Sequence, residues 1–427
     1  MSCKSTALCL FDEQEVQMDI TGNIVNDYHP MNTITPGAPI EFQILGTADD
    51  YLDLGDMRLL LRLKIIKTDG AAWDADDKVN FINLPIASVF QDVFMKIGDT
   101  QVEGGQHIYP YNAYLSTLLQ FHPSAKRTHL EAWGWNEDKP GKFNDDADND
   151  GLKDRRAETD KGAVWEIMGP LFLDMTRQAR YLLPQTNLSL KLLPAKPEFV
   201  LQTTGASTKY DYRIEKCVLY VPRMTVMDAV INGHNKGLEK YNAKYILNHT
   251  DITTFTITKE NRTFIKDGLF ASQVPKMVVI GLLEHDAFNG NMKKSPFEFK
   301  HFNVNKIGLY RDGELVPGQI FTPDYDNNFY KRSYTNTMQT LNYFNTDDAN
   351  GMTLEHFKEG YNLYAFDLTP DHTNEGPHRH LMKTGSLRLE LSFGKALPGP
   401  ITVMLFAIID AKLEITKLRD VLMSYSR

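Results

Sequence analysis

KIGDTQVEGG at residues 96–105 and KIGLYRDGELVPG at residues 306–318 decide the fold, because each carries Lys-Ile-Gly in a strand-sized apolar run and is followed by the same series of elements. After the first copy come a short helical stretch, YNAYLSTLL (111–119), the leucine alternation LSLKLLPAKP (188–197) and the long run CVLYVPRMTV (217–226). After the second come TLEHFKE (353–359), GSLRLELSFGKALP (385–398) and ITVMLFAIIDAKLEI (401–415). An order of features that repeats after about two hundred residues predicts two homologous domains and not a solenoid.

Working outward, runs rich in Val, Ile, Leu, Phe and Tyr, closed by Gly, Asn, Asp or Pro, read as strands. In the first half they lie at 57–67, 92–97, 188–193 and 213–221, and in the second at 245–258, 276–283, 302–310, 363–368, 387–393 and 401–415. Helical periodicity is confined to 111–119, behind Pro110, and to 353–359. Many strands and few helices predict an all-β sandwich or jelly roll. In MRLLLRLKIIK (57–67), Leu59, Leu61, Leu63 and Ile65 alternate with Arg58, Arg62 and Lys64, which puts the apolar set inside and the charged set outside.

The domain boundaries that follow are an N-terminal arm at 1–36, a first roll at 37–227 with a large insertion at 122–162, a second roll at 228–417 and a tail at 418–427. Arm and tail are expected to order on assembly, as chain ends do. The insertion and residues 321–350 are expected to project as exposed loops, because connections longer than about 12–15 residues run over the surface and carry function. Residues 131–160 hold ten Asp/Glu against five Lys/Arg, so much of the net charge of −9 resides there.

Composition removes several classes. With 427 residues, 42% hydrophobic and 24% charged, the chain folds around sizeable cores. No window approaches the roughly 20 apolar residues of a membrane span, and the first residues lack the apolar core of a secretory signal. Synthesis in the cytosol is the expectation, with Cys3, Cys9 and Cys217 as free thiols and the sequons at Asn187, Asn248 and Asn261 unused. A pI of about 5.8 argues against a dedicated nucleic-acid binder.

Two clusters could hold a metal. Asp146, Asp148, Asp150 and Asp154 alternate around Gly151 like a calcium loop, but the twelfth position is Ala157, where an EF-hand needs a bidentate Glu; a solvated acidic loop accounts for them. His378 and His380 form a His-x-His pair beside Asp371, His372 and Glu375, of the kind that ligates iron or zinc in cupin-like jelly-roll enzymes, but residues 381–384 supply no following Glu. Cys217 sits in an apolar strand and reads as a core residue. Trp133, Trp135 and Tyr109 would be the platform of a carbohydrate-binding module. No dinucleotide, nucleoside-triphosphate or serine-hydrolase motif occurs. The reading is no catalytic, cofactor-binding or metal site.

PYNAYLSTLL (110–119), AFNGNMKKSPFEFKHFNVNKIGLYRDGE (287–314), EGYNLYAFDLTPD (359–371) and GSLRLELSFGKALP (385–398) resemble the major capsid proteins of the Polinton/Maverick and adintovirus group of double-stranded DNA elements and viruses. The resemblance runs over most of the chain and is weakest at 1–36 and 122–162. That group is similar to the adenovirus and tectivirus lineage. The resemblance implies an all-β chain of two tandem eight-stranded antiparallel jelly rolls with long tower loops and short helices. It implies three chains in a pseudo-hexagonal capsomer tiling an icosahedral shell, and partners in neighbouring capsomers, a single-jelly-roll penton protein and minor capsid proteins. It further implies a host receptor met through the tower, no sequence-specific nucleic-acid binding and no cofactor. The location implied is the virion, made in host cytoplasm and assembled in the host cell, the nucleus included.

Overall fold

The computed structural model describes residues 17–74, 77–270, 273–372, 374, 380 and 384–425. The strands of the first roll are β1 (Ile20–Tyr28), β2 (Ile40–Ile44), β3 (Arg58–Lys67), β4 (Phe90–Ile97), β5 (Thr100–Glu103), β6 (Val164–Gly169), β7 (Leu188–Pro194) and β8 (Tyr210–Val226). Those of the second are β9 (Ala243–Ile257), β10 (Thr263–Asp267), β11 (Met277–Glu284), β12 (Val304–Arg311), β13 (Glu314–Phe321), β14 (Leu363–Asp367), β15 (Leu387–Phe393) and β16 (Ile401–Ile415).

In the first roll the sheets run β1-β8-β3-β6 and β2-β7-β4-β5; in the second they run β9-β16-β11-β14 and β10-β15-β12-β13. Adding eight to each strand of one pair gives the other, so the repeated order of sequence features is a repeated topology. Pairing is antiparallel along every one of these ladders. The chain is a double jelly roll.

Alternation places the cores as expected. Leu59, Leu61, Leu63 and Ile65 are buried between the first pair of sheets, while Arg62 on the other face is exposed and bonds Glu166 across the ladder at 2.6 Å. β11 and β16 carry near-continuous apolar runs (MVVIGLLE and ITVMLFAIIDAKLEI) and are buried along almost their whole length, as strands covered on both faces are.

Several segments depart from the expectations. β1 lies within the stretch read as an arm and pairs with β8 over its length. Val421–Tyr425, within the expected tail, pairs with β16. Backbone ladder bonds give both segments a partner that their modest apolar content did not advertise. Helix α1 (Tyr109–Gln120) matches the predicted helix, with Pro110 in its first turn. The insertion is not a projecting loop: helix α2 (Asp150–Glu158), capped by the Asn149 side chain accepting from Leu152 N–H, packs down on it, and Trp135, Phe143 and Leu152 are buried. Residues 321–350 likewise contain helix α4 (Lys331–Thr340), which lays Thr337 and Met338 against β14. Between the rolls runs helix α3 (Asp228–Leu238), followed later by α5 (Leu354–Lys358).

Candidate functional surface at the junction of the rolls

Roll 1 meets roll 2 by an edge-on-face contact. Gln106 and residues 174–183 of roll 1 contact the outer edge strand of roll 2, β9, and the turn of the β4–β5 hairpin reaches residues 419–421. The covering segment is shaped locally: the Thr176 hydroxyl donates to the carbonyls of Leu171 at 2.7 Å and Leu173 at 2.8 Å, closing a short 3-10 turn at Asp174–Arg177. The free N–H groups of Asp174 and Met175 at that turn donate to the Glu103 carboxylate at 2.8 and 2.9 Å.

From there the contact crosses to roll 2. His249 Nδ1 lies 2.6 Å from Asp174 Oδ2, and Thr250 N–H donates to the same carboxylate at 3.4 Å. Tyr245 on β9 donates its hydroxyl to Tyr181 O and accepts from Leu183 N–H, each at 3.1 Å. Gln106 reaches Asp251 at 3.1 Å, and Arg419 reaches Pro184 O at 3.0 Å. Burial pushes the Glu103 carboxyl above its ordinary range, with Asp174 adding to the rise. For His249, burial opposes the charged ring, but the hydrogen bond and charge of Asp174 outweigh it and its pKa is raised. Asp92 and Asp251 face the same cavity, of about 410 Å³, between the rolls, and His107 lies 3.6 Å from Asp92.

At one end of the junction the two insertions interlock. Tyr114 of α1 stacks on Phe297 with ring centres 4.0 Å apart and planes 3° from parallel, and Tyr111 stacks on Phe288 at 5.4 Å. Lys126 is buried: its ammonium donates to Leu118 O at 2.8 Å and, across the junction, to Asn350 O at 2.7 Å, and burial lowers its pKa to about 8. Tyr361 donates to Asp138 O at 2.5 Å, and Gly141 N–H donates to Glu359 O at 2.7 Å. Asp138 in turn pairs with the buried Arg155, whose other nitrogens donate to Phe81 O and Asn136 O.

The residues singled out from sequence are dispersed. Asp146 pairs with Arg156 at 2.7 Å and Lys78 at 3.5 Å; Asp148 pairs with Lys139, Asp150 with Lys153, and Asp154 is exposed on α2. These carboxylates answer neighbouring cations and do not converge. Among the described residues no group of three or more His, Cys, Asp or Glu is placed to hold a metal. His380 donates its backbone N–H to Asp410 at 3.3 Å and sets its ring 3.6 Å from Asp371; His378 lies outside the described residues. Cys217 is buried in β8, and burial raises its pKa. The aromatic platform does not form: Trp135 and Tyr109 are buried, and Trp133 packs edge-on between Phe121 and Phe172. Sequence reasoning missed Glu103, Asp174 and His249, because polar residues joined only through the tertiary fold leave no local pattern.

No family model matches the chain. The Caenorhabditis elegans protein F54H12.2 is 23% identical over 407 residues, which cover 89% of this chain and 91% of that protein. A chain from the Sputnik virophage superposes with a TM-score of 0.66 at 13% identity, over 98% of this chain and 91% of that one. The major capsid protein of Faustovirus does so with 0.57 at 9% identity (97% and 94% covered), and the mavirus major capsid protein with 0.55 at 10% (97% and 93%). Over 97–98% of its length, junction included, this chain therefore shares the double jelly-roll fold of viral major capsid proteins.

Proposed function

We propose that the chain is a major capsid protein, and that three copies form a pseudo-hexagonal capsomer in the icosahedral shell of a double-stranded DNA virus or virus-like element of the Polinton/Maverick and adintovirus kind. The observation that carries this is the duplicated roll joined edge on face, together with whole-length likeness to solved capsid proteins. A heterologous contact repeated around an axis closes into a ring; six rolls from three chains supply the pieces.

On this reading the function resides in surfaces, and the protein does no catalysis. The rolls act as building units, with the interlocked insertions forming the crown and, where a receptor is met, its outer face. Neighbouring capsomers, a single-jelly-roll penton and minor capsid proteins are the partners, and the virion, assembled in the host cell, is the location. The cupin-like alternative needs His378 and His380 on one metal, whereas the contacts of His380 run to Asp371 and Asp410.

Light scattering on a gel-filtered sample, followed by negative-stain imaging, tests the proposal. A species of about 146 kDa, three times the 48.7 kDa chain, with a hexagonal outline is expected; a stable compact monomer would sink a self-trimerising capsomer.

A further inference from the structure

The cavity of about 410 Å³ between the rolls concentrates negative charge. Roll 1 supplies Asp92 on β4, Glu103 at the end of β5 and Asp174, and roll 2 supplies Asp251 on β9. The cations that answer them are His249, paired with Asp174, His107, 3.6 Å from Asp92, and Arg177, whose charge acts on Glu103 and Asp174. Burial pushes the Glu103 carboxyl up, and the charge of Asp174 adds more to that rise than Arg177 takes away. At Glu103 the balance of these neighbouring charges is therefore negative.

Carboxylates alone do not make a site, and these already accept hydrogen bonds: Asp92 from the N–H groups of Gly105 and His107, and Glu103 from those of Asp174 and Met175. Two neutral side chains point independently to a ligand. Gln273, 7% exposed, and Thr250, 8% exposed, both line the cavity, and among the described residues neither the Gln273 amide nor the Thr250 hydroxyl has a hydrogen-bond partner. Buried polar groups in folded proteins are nearly always satisfied, by the protein or by something bound to it. Val93, Ile108 and Ile252 make part of the remaining wall apolar.

A metal ion does not suit this lining, since among the described residues no three His, Cys, Asp or Glu side chains are placed to hold one. An alkylammonium asks less of geometry: carboxylate, amide and hydroxyl oxygens all accept from its N–H groups, and its methylenes can lie on the apolar wall. The volume falls within the range of small-molecule sites, about 300–1,000 Å³. Because the carboxylates come from both rolls, a cation charged at both ends matches them best. We infer that this cavity binds a small linear aliphatic diamine, one ammonium held by Glu103 and Asp174 of roll 1 and the other by Asp251 of roll 2, with Gln273 and Thr250 completing the acceptors. The bound dication ties the two rolls of one chain together, whatever the number of chains in the assembly.

The experiment uses the full chain with 1,4-diaminobutane as the probe, at pH 8 and constant ionic strength, followed by titration calorimetry and thermal melting. One equivalent bound per chain and a raised melting temperature are expected. Neither should appear with 1,4-butanediol, of the same length without charge, or with magnesium chloride. Asp251→Asn is expected to weaken binding about tenfold, as the loss of a charged hydrogen-bond partner does. Gln273→Leu, which breaks no hydrogen bond within the chain, should weaken binding severalfold while melting like wild type without the diamine. No heat and no shift with wild type would overturn the inference, as would an equal shift with magnesium, which assigns the effect to screening, or with the diol. Unchanged affinity in both variants would place the diamine elsewhere and refute this cavity. Should Asp251→Asn fail to fold, Gln273→Leu alone decides.

Discussion

Arg155 and Asp138 face each other at 2.7 Å with side chains 0% and 2% exposed, in the middle of an insertion that composition marks as acidic and solvated. A guanidinium stripped of water is tolerable only with its partner present, and losing one member of such a pair costs about 3–5 kcal/mol. Arg155→Met is expected to lower unfolding stability by about that amount in urea titration. Arg155→Met/Asp138→Leu is expected to recover part of it, because no buried charge is left alone.

The Tyr114–Phe297 stack joins α1 of roll 1 to the segment entering roll 2, both rings being fully buried. Phe297→Ala leaves a cavity that costs about 3–5 kcal/mol. Phe297→Leu, closer in volume, is expected to lose about 1.5 kcal/mol or less. Denaturant melts of the two variants, with proteolysis between residues 122 and 162 as a second readout, check the order.

Raised pKa values at Glu103 and His249 give the roll junction a pH dependence. For His249 the folded value lies above 6.5, so its stabilisation is complete below that pH and is lost as pH rises through the folded value. Glu103 has the same sign: its folded pKa lies above 4.5, so the native state holds a proton that the unfolded state has released, and stability falls as pH rises. Wild-type melting temperature is therefore expected to drop between pH 6 and pH 8.5. The drop should shrink in Glu103→Gln/His249→Gln, and an unchanged drop would assign it to other groups.

Gly360 has φ +106°, and a Cβ there would lie 2.3 Å from the Phe143 ring of the insertion. Gly360→Ala combines backbone strain with overpacking, each about 1–3 kcal/mol. Its melt should fall further than that of Gly399→Ala, which meets nothing within 4 Å.

Asp146 and Asp148 already answer Arg156 and Lys139. Adding calcium to 5 mM, or chelating it, is expected to leave the melting temperature unchanged; a rise on addition would restore the calcium-loop reading.

The parts legible in the sequence are those with short periods. Leu59, Leu61, Leu63 and Ile65 announce a strand and its inward face, and the repeated order of features announces the duplication, although the two Lys-Ile-Gly triplets are out of register: the first runs off the end of β4, and the second lies inside β12. β1 was not legible because ITGNIVNDY is an edge strand whose stability comes from ladder bonds to a segment some two hundred residues away, with few apolar residues to mark it. The folded insertion was hidden for a related reason: Trp135, Phe143, Asp138 and Arg155 follow no period and find their partners in Tyr114, Tyr361 and Phe81. Glu103, Asp174 and His249 are ordinary polar residues until the fold brings them together.

The first strand of each roll pairs with its last, β1 with β8 and β9 with β16. On the ribosome, neither sandwich can shut before its final strand has emerged. At about 5–20 residues per second, the roughly 200 residues in the first roll and roughly 160 in the second, from the end of the first strand to the end of the last, keep a sheet edge waiting for roughly 8–40 s in each roll. Nascent chains of this protein therefore pass through two periods of unpaired edges. A heavily translated message would concentrate many such edges on one polysome, where chaperone supply, more than final stability, would set the yield of assembled subunits.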